Sequence, residues 1–483
     1  MTIVKANAVL LCLFMALLIS CKETKIISKV SLSVLTNESG LSTNVRINTY
    51  DLVSSEEIPL SEGKVDSTLK VNISLDIRQP VMAYYEVAGK FGPLYLEPGY
   101  ELVLNFKKDR IQFEGVGAEV NNYLARATYL HNTIANANNK PYYTVSTQEF
   151  LDRLDSITKA LSSFHKYYTD SVKLPEGTIH LLDARNKLNS YALLNYYSTG
   201  KQIDLRNDLS ERALSNVASE EILYDTTFLI NHIVEYAGAM NMYLDHEFYR
   251  KFYLNKNPEE IQATKELFPG IANKEINDRK YHAMIKEFLL SKNISYWMRS
   301  LGLTPSVDSI FDQFKHNYPS STHLSALKRQ YEEWLAISPG TSAPDFSGLT
   351  LDGKTLSLKD LKGKVVYIDV WATWCAPCIK EIPFAKKLQG RFEGNNQVQF
   401  VNISIDRDKE AWKHFVLSDK SWRGLHLHLE EKEKDMFWKN YKMFGVPTYI
   451  LIDQTGRIIN AKALRPSEGG IELQLRNLVS KGV

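Results

Sequence analysis

Trp371-Ala372-Thr373-Trp374-Cys375-Ala376-Pro377-Cys378 stands where a strand-like run, Val365-Val366-Tyr367-Ile368-Asp369-Val370, gives way to a helical period reaching about Phe392. A cysteine at such a junction faces the unpaired N–H groups of the first helical turn and the positive end of the helix dipole. Both favour thiolate over thiol and pull its pKa below the free value of about 8.5. A second cysteine three residues on lies about one turn deeper, within reach of a disulfide. Pro377 lacks an N–H, which the first turn of a helix can spare. Cys375 therefore reads as the exposed attacking thiol and Cys378 as the shielded resolving thiol. The chemistry open to such a pair is thiol–disulfide exchange through a mixed disulfide.

Beyond this motif strand and helix alternate to residue 480: residues 398–405, 448–453 and 457–461 read as strands and 471–480 as a closing helix. The expected result is an α/β sheet covered on both faces. Upstream, Ser338-Pro339-Gly340-Thr341-Ser342-Ala343-Pro344 has the composition of a linker. Before it, residues 117–338 carry a helical period: Phe150, Leu154, Ile157, Leu161, Phe164 and Tyr168 recur at steps of four and three behind a capping box, Ser146-Thr147-Gln148-Glu149. The tyrosine pairs Tyr142-Tyr143, Tyr167-Tyr168 and Tyr196-Tyr197 suit helix packing, with an aromatic groove as the alternative. Residues 21–116 alternate with period two, as in Leu69-Lys70-Val71-Asn72-Ile73-Ser74-Leu75 and Tyr100-Glu101-Leu102-Val103-Leu104-Asn105-Phe106, between Gly, Pro, Asn and Asp turns. The expected architecture is multidomain: an antiparallel β sandwich or barrel over 21–116, an α-helical region over 117–338 and an α/β domain over 339–483.

The motif WATWCAPC, the entry Ala343-Pro344-Asp345-Phe346 and the later Gly445-Val446-Pro447-Thr448 together resemble the TlpA/ResA-like thiol–disulfide oxidoreductases of the thioredoxin superfamily. The resemblance covers about residues 340–483. It implies a thioredoxin-like fold, a redox-active Cys375–Cys378 disulfide, a cis Val446–Pro447 bond and no cofactor. It also implies a substrate surface in which Trp374 flanks the cysteines and the exposed backbone at Val446 and Pro447 pairs with an extended segment of a disulfide-containing protein. Leu96-Glu97-Pro98-Gly99 and Phe113-Glu114-Gly115 resemble the β-rich domain found ahead of such periplasmic domains.

Two acids join the candidate site. Asp369 interrupts an apolar strand six residues before Cys375, the place of the proton-accepting aspartate in thioredoxins. Burial would raise its pKa and let it take the proton as Cys378 attacks. Glu381, three residues past Cys378, occupies the place of the active-site glutamate of the ResA-like branch; the alternative is a solvated helix residue beside Lys380. Pro383 matches a helix-kinking proline. Zinc would need about four ligands, and the nearest histidine in sequence is His414, so no metal is expected. His426 and His428 share one strand face, which reads as exposed. A peroxiredoxin pattern before Cys375 is broken by Ile368 and Ala372.

Lys5, the apolar run over residues 8–19 and Ser20-Cys21 form a secretory leader too short to span a bilayer. Leu18-Ile19-Ser20-Cys21 resembles the lipobox of bacterial lipoproteins, in which the chain is cut before the cysteine and that cysteine is acylated. Residues 1–20 would then be lost with Cys12, and Cys21 would hold the protein on the lipid bilayer. Lys22 in place of an aspartate leans to the outer membrane. Of the four cysteines, Cys375 and Cys378 would remain, with no disulfide framework. The 58 basic and 56 acidic side chains give a net charge of +2, so no global field draws the protein to nucleic acid.

The expected function is a lipid-anchored, periplasm-facing reductase of envelope protein disulfides, since Ala-Pro between the cysteines lies nearer the reductive members of the fold. A reductase needs a membrane electron donor. An isomerase or oxidase is the alternative direction. A different class, an envelope binding lipoprotein with an accessory redox domain, rests on the large share of the chain ahead of residue 339.

Overall fold

The computed structural model describes residues 29–36, 44–87, 89–107, 110–201, 222, 224–244, 248, 252, 256–257, 260–261 and 264–480. The leader over residues 1–20 and the acylation at Cys21 lie outside the described residues. The chain forms two compact units, one of residues 1–52 with 56–238, the other of residues 53–55 with 239–483.

In the first unit, eight strands make two four-stranded sheets: β1 (Lys29–Thr36), β2 (Asn44–Tyr50), β3 (Glu57–Lys64), β4 (Lys70–Asp76), β5 (Val81–Val87), β6 (Lys90–Leu96), β7 (Glu101–Lys107) and β8 (Arg110–Val116). The sheet orders are β4-β1-β7-β8 and β3-β2-β5-β6. Alternate residues point inward, so Val30, Leu32 and Val34 of β1 meet Val45, Ile47, Leu94, Leu102 and Leu104 in one core. The sandwich expected to be antiparallel has one parallel pair, β1 against β7 with Leu32 opposite Leu102. This pairing lets a strand from the start of the chain enter the sheet beside a later hairpin.

The apolar run of β5 is buried on both faces from Val81 to Tyr85. Its second face is tied to residues 227–238: Met82 N–H donates to Asn231 O, and the Tyr84 hydroxyl donates to Glu235. Three long helices follow the strands: α1 (Ala118–Ala135), α2 (Thr147–Ser171) and α3 (Glu176–Lys201). Gly117 caps α1 at φ 93°, and a Cβ there would lie 2.2 Å from the Tyr100 ring. Ser146 accepts from Glu149 N–H as half of the expected capping box, while the Glu149 carboxylate turns to Arg153 at 2.6 Å. Of the paired tyrosines, Tyr197 is buried and stacked on Phe150, Tyr142 lies against both Tyr143 and Phe150, and Tyr143 and Tyr167 are exposed.

Helix α4 (Val234–Leu244) carries the chain from the first unit into the second. There α5 (Phe268–Asp278), α6 (Ala283–Leu301), α7 (Pro305–Asn317) and α8 (Leu324–Leu335) pack together. Lys292 and Arg299 of α6 donate to the Val53 and Ser54 carbonyls, which ties residues 53–55 to this unit. The remainder is a seven-stranded sheet, order β10-β9-β13-β12-β11-β14-β15. Its strands are β9 (Ser347–Leu349), β10 (Thr355–Ser357), β11 (Val365–Trp371), β12 (Val398–Ser404), β13 (Leu425–His428), β14 (Thr448–Ile452) and β15 (Ile458–Asn460). Helices α9 (Ala376–Gly390), α10 (Lys409–Ser418), α11 (Glu431–Asn440) and α12 (Ile471–Ser480) connect and cover them. β11 is an inner strand, parallel to β12 and antiparallel to β14, with every residue buried.

Candidate active site

β11 ends at Trp371, and the chain enters α9 with Cys375 as its N-cap. Cys375 and Cys378 are joined in a disulfide, and the Cys375 sulfur also accepts from Cys378 N–H at 3.2 Å. The expectation of an exposed Cys375 is corrected here: in this oxidised form it is 4 % exposed, against 2 % for Cys378. As the N-cap of α9 its sulfur is bonded to Cys378 and accepts from Cys378 N–H, so it lies against the first turn of the helix. Trp374 is instead the open residue, 67 % exposed. It borders a cavity of about 770 Å³ lined by Thr373, Arg407, Lys434, Asp435 and Trp438 among others.

The loop ahead of the disulfide hangs from a residue that sequence reading missed. Buried Asp406 accepts from Thr373 N–H at 3.0 Å, from Thr373 Oγ1 at 2.7 Å and from Ser404 Oγ at 2.8 Å. Only the parallel register, which sets Trp371 opposite Ser404, brings Asp406 beside this loop. A seryl–aspartyl pair at a strand end was the one available signal.

Asp369 lies within β11, opposite Tyr449 of β14, and its Oδ1 has no hydrogen-bond partner among the described residues. Desolvation first, and the Glu381 carboxylate second, push its pKa up to about 8. Glu381 sits on α9 one turn past Cys378 and is 7 % exposed, held by Ser467 Oγ at 2.7 Å and Ser467 N–H at 3.1 Å. The alternative of a solvated Glu381 thus does not apply. Ser467, distant in sequence, was not foreseen. Pro383 lies inside α9 as expected.

The Val446–Pro447 peptide is cis. Because Thr448 pairs with Val370, the Gly445-Val446-Pro447 loop and the cysteine loop emerge at the same end of the sheet. Thr448 Oγ1 donates to Gly445 O at 2.8 Å, and no backbone hydrogen bond among the described residues engages the Val446 peptide groups. The site therefore gathers Cys375, Cys378, Trp374, Val446 and Pro447 at one sheet end, with Asp369 and Glu381 inside.

The exposed face expected for His426 and His428 is also corrected: both are 5 % exposed. Their Nε2 atoms lie 3.1 Å from Trp422 O and 2.9 Å from Asp406 O. A carbonyl only accepts, so each Nε2 carries the proton, and burial pushes both pKa values down. β13 pairs with β12 and β9, so it is an inner strand covered on its histidine face.

The Redoxin family model matches residues 338–474. Thiol-disulfide oxidoreductase ResA of Bacillus thuringiensis is 33 % identical over 120 residues, 25 % of this chain, and the chain spans 66 % of that relative's length. ResA of Bacillus subtilis is 30 % identical over 147 residues, 30 % of this chain and 79 % of the relative. The solved thioredoxin domain of a thiol-disulfide oxidoreductase from Bacteroides vulgatus is 33 % identical, covering 30 % of this chain and 97 % of that chain, with a TM-score of 0.26.

Proposed function

This chain belongs, through its C-terminal domain, to the ResA-like thiol–disulfide oxidoreductases, and on that premise we propose that the protein reduces disulfides of envelope proteins. The observation that carries the reading is the Cys375–Cys378 disulfide at a helix N-terminus, at the same sheet end as a loop whose Val446 peptide groups are unclaimed. An extended substrate segment adds to that backbone as a short strand, with Trp374 covering its flank.

In the reduced protein, the Cys375 thiolate attacks one substrate sulfur. The new Cys375–substrate bond forms as the substrate disulfide breaks, and the released substrate sulfur takes a proton. Cys378 then gives its proton to the ionised form of Asp369 and attacks the Cys375 sulfur; the intramolecular disulfide closes, the Cys375–substrate bond breaks, and the second substrate sulfur leaves as a thiolate that takes a proton from solvent. Two electrons pass to the substrate. Asp369, raised to about 8, nearly matches a thiol of pKa about 8.5, so this proton transfer is close to thermoneutral. A membrane electron donor returns two electrons to the closed pair.

The setting proposed is the periplasmic face of the outer membrane, with the chain anchored through acylated Cys21 after loss of residues 1–20. Leu18-Ile19-Ser20-Cys21 supports it. Labelled palmitate should enter the wild-type protein and not Cys21→Ala; equal labelling would refute the anchor.

The function is tested by titrating the purified protein in dithiothreitol and glutathione buffers, following Trp374 fluorescence. A reversible two-electron transition near or below about −270 mV supports a reductase. A value near about −120 mV makes the protein an oxidase or isomerase. No transition leaves the binding-module reading as the better account.

A further inference from the structure

The segment just ahead of the cis peptide, residues 441–445, is gripped by a helix outside the thioredoxin-like sheet. On α8, Glu333 accepts from Lys442 Nζ at 2.9 Å, and the neighbouring Trp334 stacks on Phe444 with ring centres 6.5 Å apart and planes 24° from parallel. Trp334 is 2 % exposed, while Phe444 stays 52 % exposed. Two cations complete the grip. The Arg299 guanidinium of α6 lies 5.4 Å from the Phe444 ring centre, and Lys462 Nζ lies 5.5 Å from the Trp334 ring and 5.8 Å from that of Phe444. On the other side, the Tyr441 hydroxyl donates to Pro344 O at 2.5 Å. Lys442 has a left-handed backbone, φ 47°, a conformation that a non-glycine residue holds only when its surroundings impose it.

Geometry gives this grip a consequence. Phe444 is two residues from Val446, so a rotation of the 442–445 segment moves the unclaimed Val446 backbone directly. The cysteines stand on a different support, β11 and α9, with their loop hung from Asp406. Anything that loosens α8 displaces the polypeptide-binding edge and leaves the disulfide where it is.

We propose that Glu333 and Trp334 of α8 are positioning residues for the Val446–Pro447 loop, so that the helical segment before residue 339 sets how well a polypeptide disulfide is presented to Cys375. This rests on the reductase reading above. A small disulfide needs no strand pairing and is indifferent to the loop. A polypeptide is not, because misplacement of a binding edge by about 1 Å can cost up to about a hundredfold in rate.

The test uses the full protein with two substrates: insulin, with dithiothreitol as reductant, and the small aromatic disulfide 5,5′-dithiobis(2-nitrobenzoate). Trp334→Ala should raise KM for insulin about tenfold while leaving kcat, the small-disulfide rate and the Cys375–Cys378 potential unchanged. Trp334→Phe, which keeps the stack, should restore KM. Glu333→Gln should show the same split in weaker form with an unchanged melting temperature, and it decides the matter if Trp334→Ala does not fold. Equal losses on both substrates, or no loss on either, overturn the proposal while the reductase reading stands. Wild-type protein inactive on both substrates and without a redox transition overturns the reductase reading and the positioning role with it.

Discussion

Each of the two units encloses a carboxylate, Asp369 buried and Glu235 nearly so, and the two are kept in opposite ways. In the first, Glu235 lies between β5 and α3: Arg185 donates to it at 2.6 Å and the Tyr84 hydroxyl at 3.1 Å. Its charge is answered at once by a guanidinium that is itself 4 % exposed. In the second, Asp369 is enclosed in β11 beside another acid, Glu381, and no cation among the described residues pairs with it. A buried carboxylate bonded to a guanidinium ties elements together. One without a cation is driven to hold its proton, and a held proton can be exchanged at ordinary pH. Burial by itself thus says little about role; the partner decides.

Removing the sulfur chemistry is the most drastic way to sharpen this contrast. Cys375→Ser should abolish exchange, and Cys378→Ser should trap substrate as a mixed disulfide visible on a non-reducing gel. Next in size, Asp369→Asn should slow insulin reduction by about a hundredfold and stabilise the protein at pH 8. The sign follows from the proton count. Folded Asp369 keeps its proton up to about pH 8, against 3.8 for an ordinary aspartate. Between those values the unfolded chain binds fewer protons, so stability falls as pH rises through the window and levels off above it. Melting curves over that range should show the decline in the wild type and lose this contribution in the variant; an unaltered decline would remove Asp369 from the account.

Glu235→Gln should do the reverse. It strands Arg185 inside the first unit, costs about 3 kcal/mol in chemical denaturation and leaves exchange intact. A variant as stable as the parent would show that the Arg185 bond does not anchor the first unit. Glu381→Gln is subtler: without the neighbouring negative charge Asp369 ionises more easily, so the pH–rate profile should move to lower pH. The smallest effect is expected from Thr373→Val, which deletes the Oγ1 bond to Asp406 at 2.7 Å and should cost about 1 kcal/mol with little change in the potential.

What could be read before folding follows the same division. The strand–helix junction is local: Val365 to Cys378 carries its apolar run, its helix start and its cysteine spacing within fourteen consecutive positions, and the structure puts each where the pattern implies. The cis Val446–Pro447 bond was legible through its motif. Contacts made by pairing were not. Asp406 meets Thr373 only through the β11–β12 register, and Ser467 reaches Glu381 across 86 positions. The histidines misled because Leu425-His426-Leu427-His428 alternates as an edge strand would, whereas β13 lies inside the sheet. Cys375 misled because its sulfur, bonded to Cys378 and accepting from Cys378 N–H, lies against the first helical turn, a contact the spacing alone does not show. The Trp334–Phe444 stack joins residues 110 positions apart and leaves no periodic trace.

The pairing of β11 on both of its edges also has a mechanical meaning. A substrate captured on Cys375 pulls on the end of a strand that is laddered on both sides, to β12 over seven pairs from Val365 to Trp371 and to β14 over five. Tension along β11 loads those hydrogen bonds together, in shear, instead of peeling them one by one. The covalent tether thus ends on a strand whose ladders on both sides share the load.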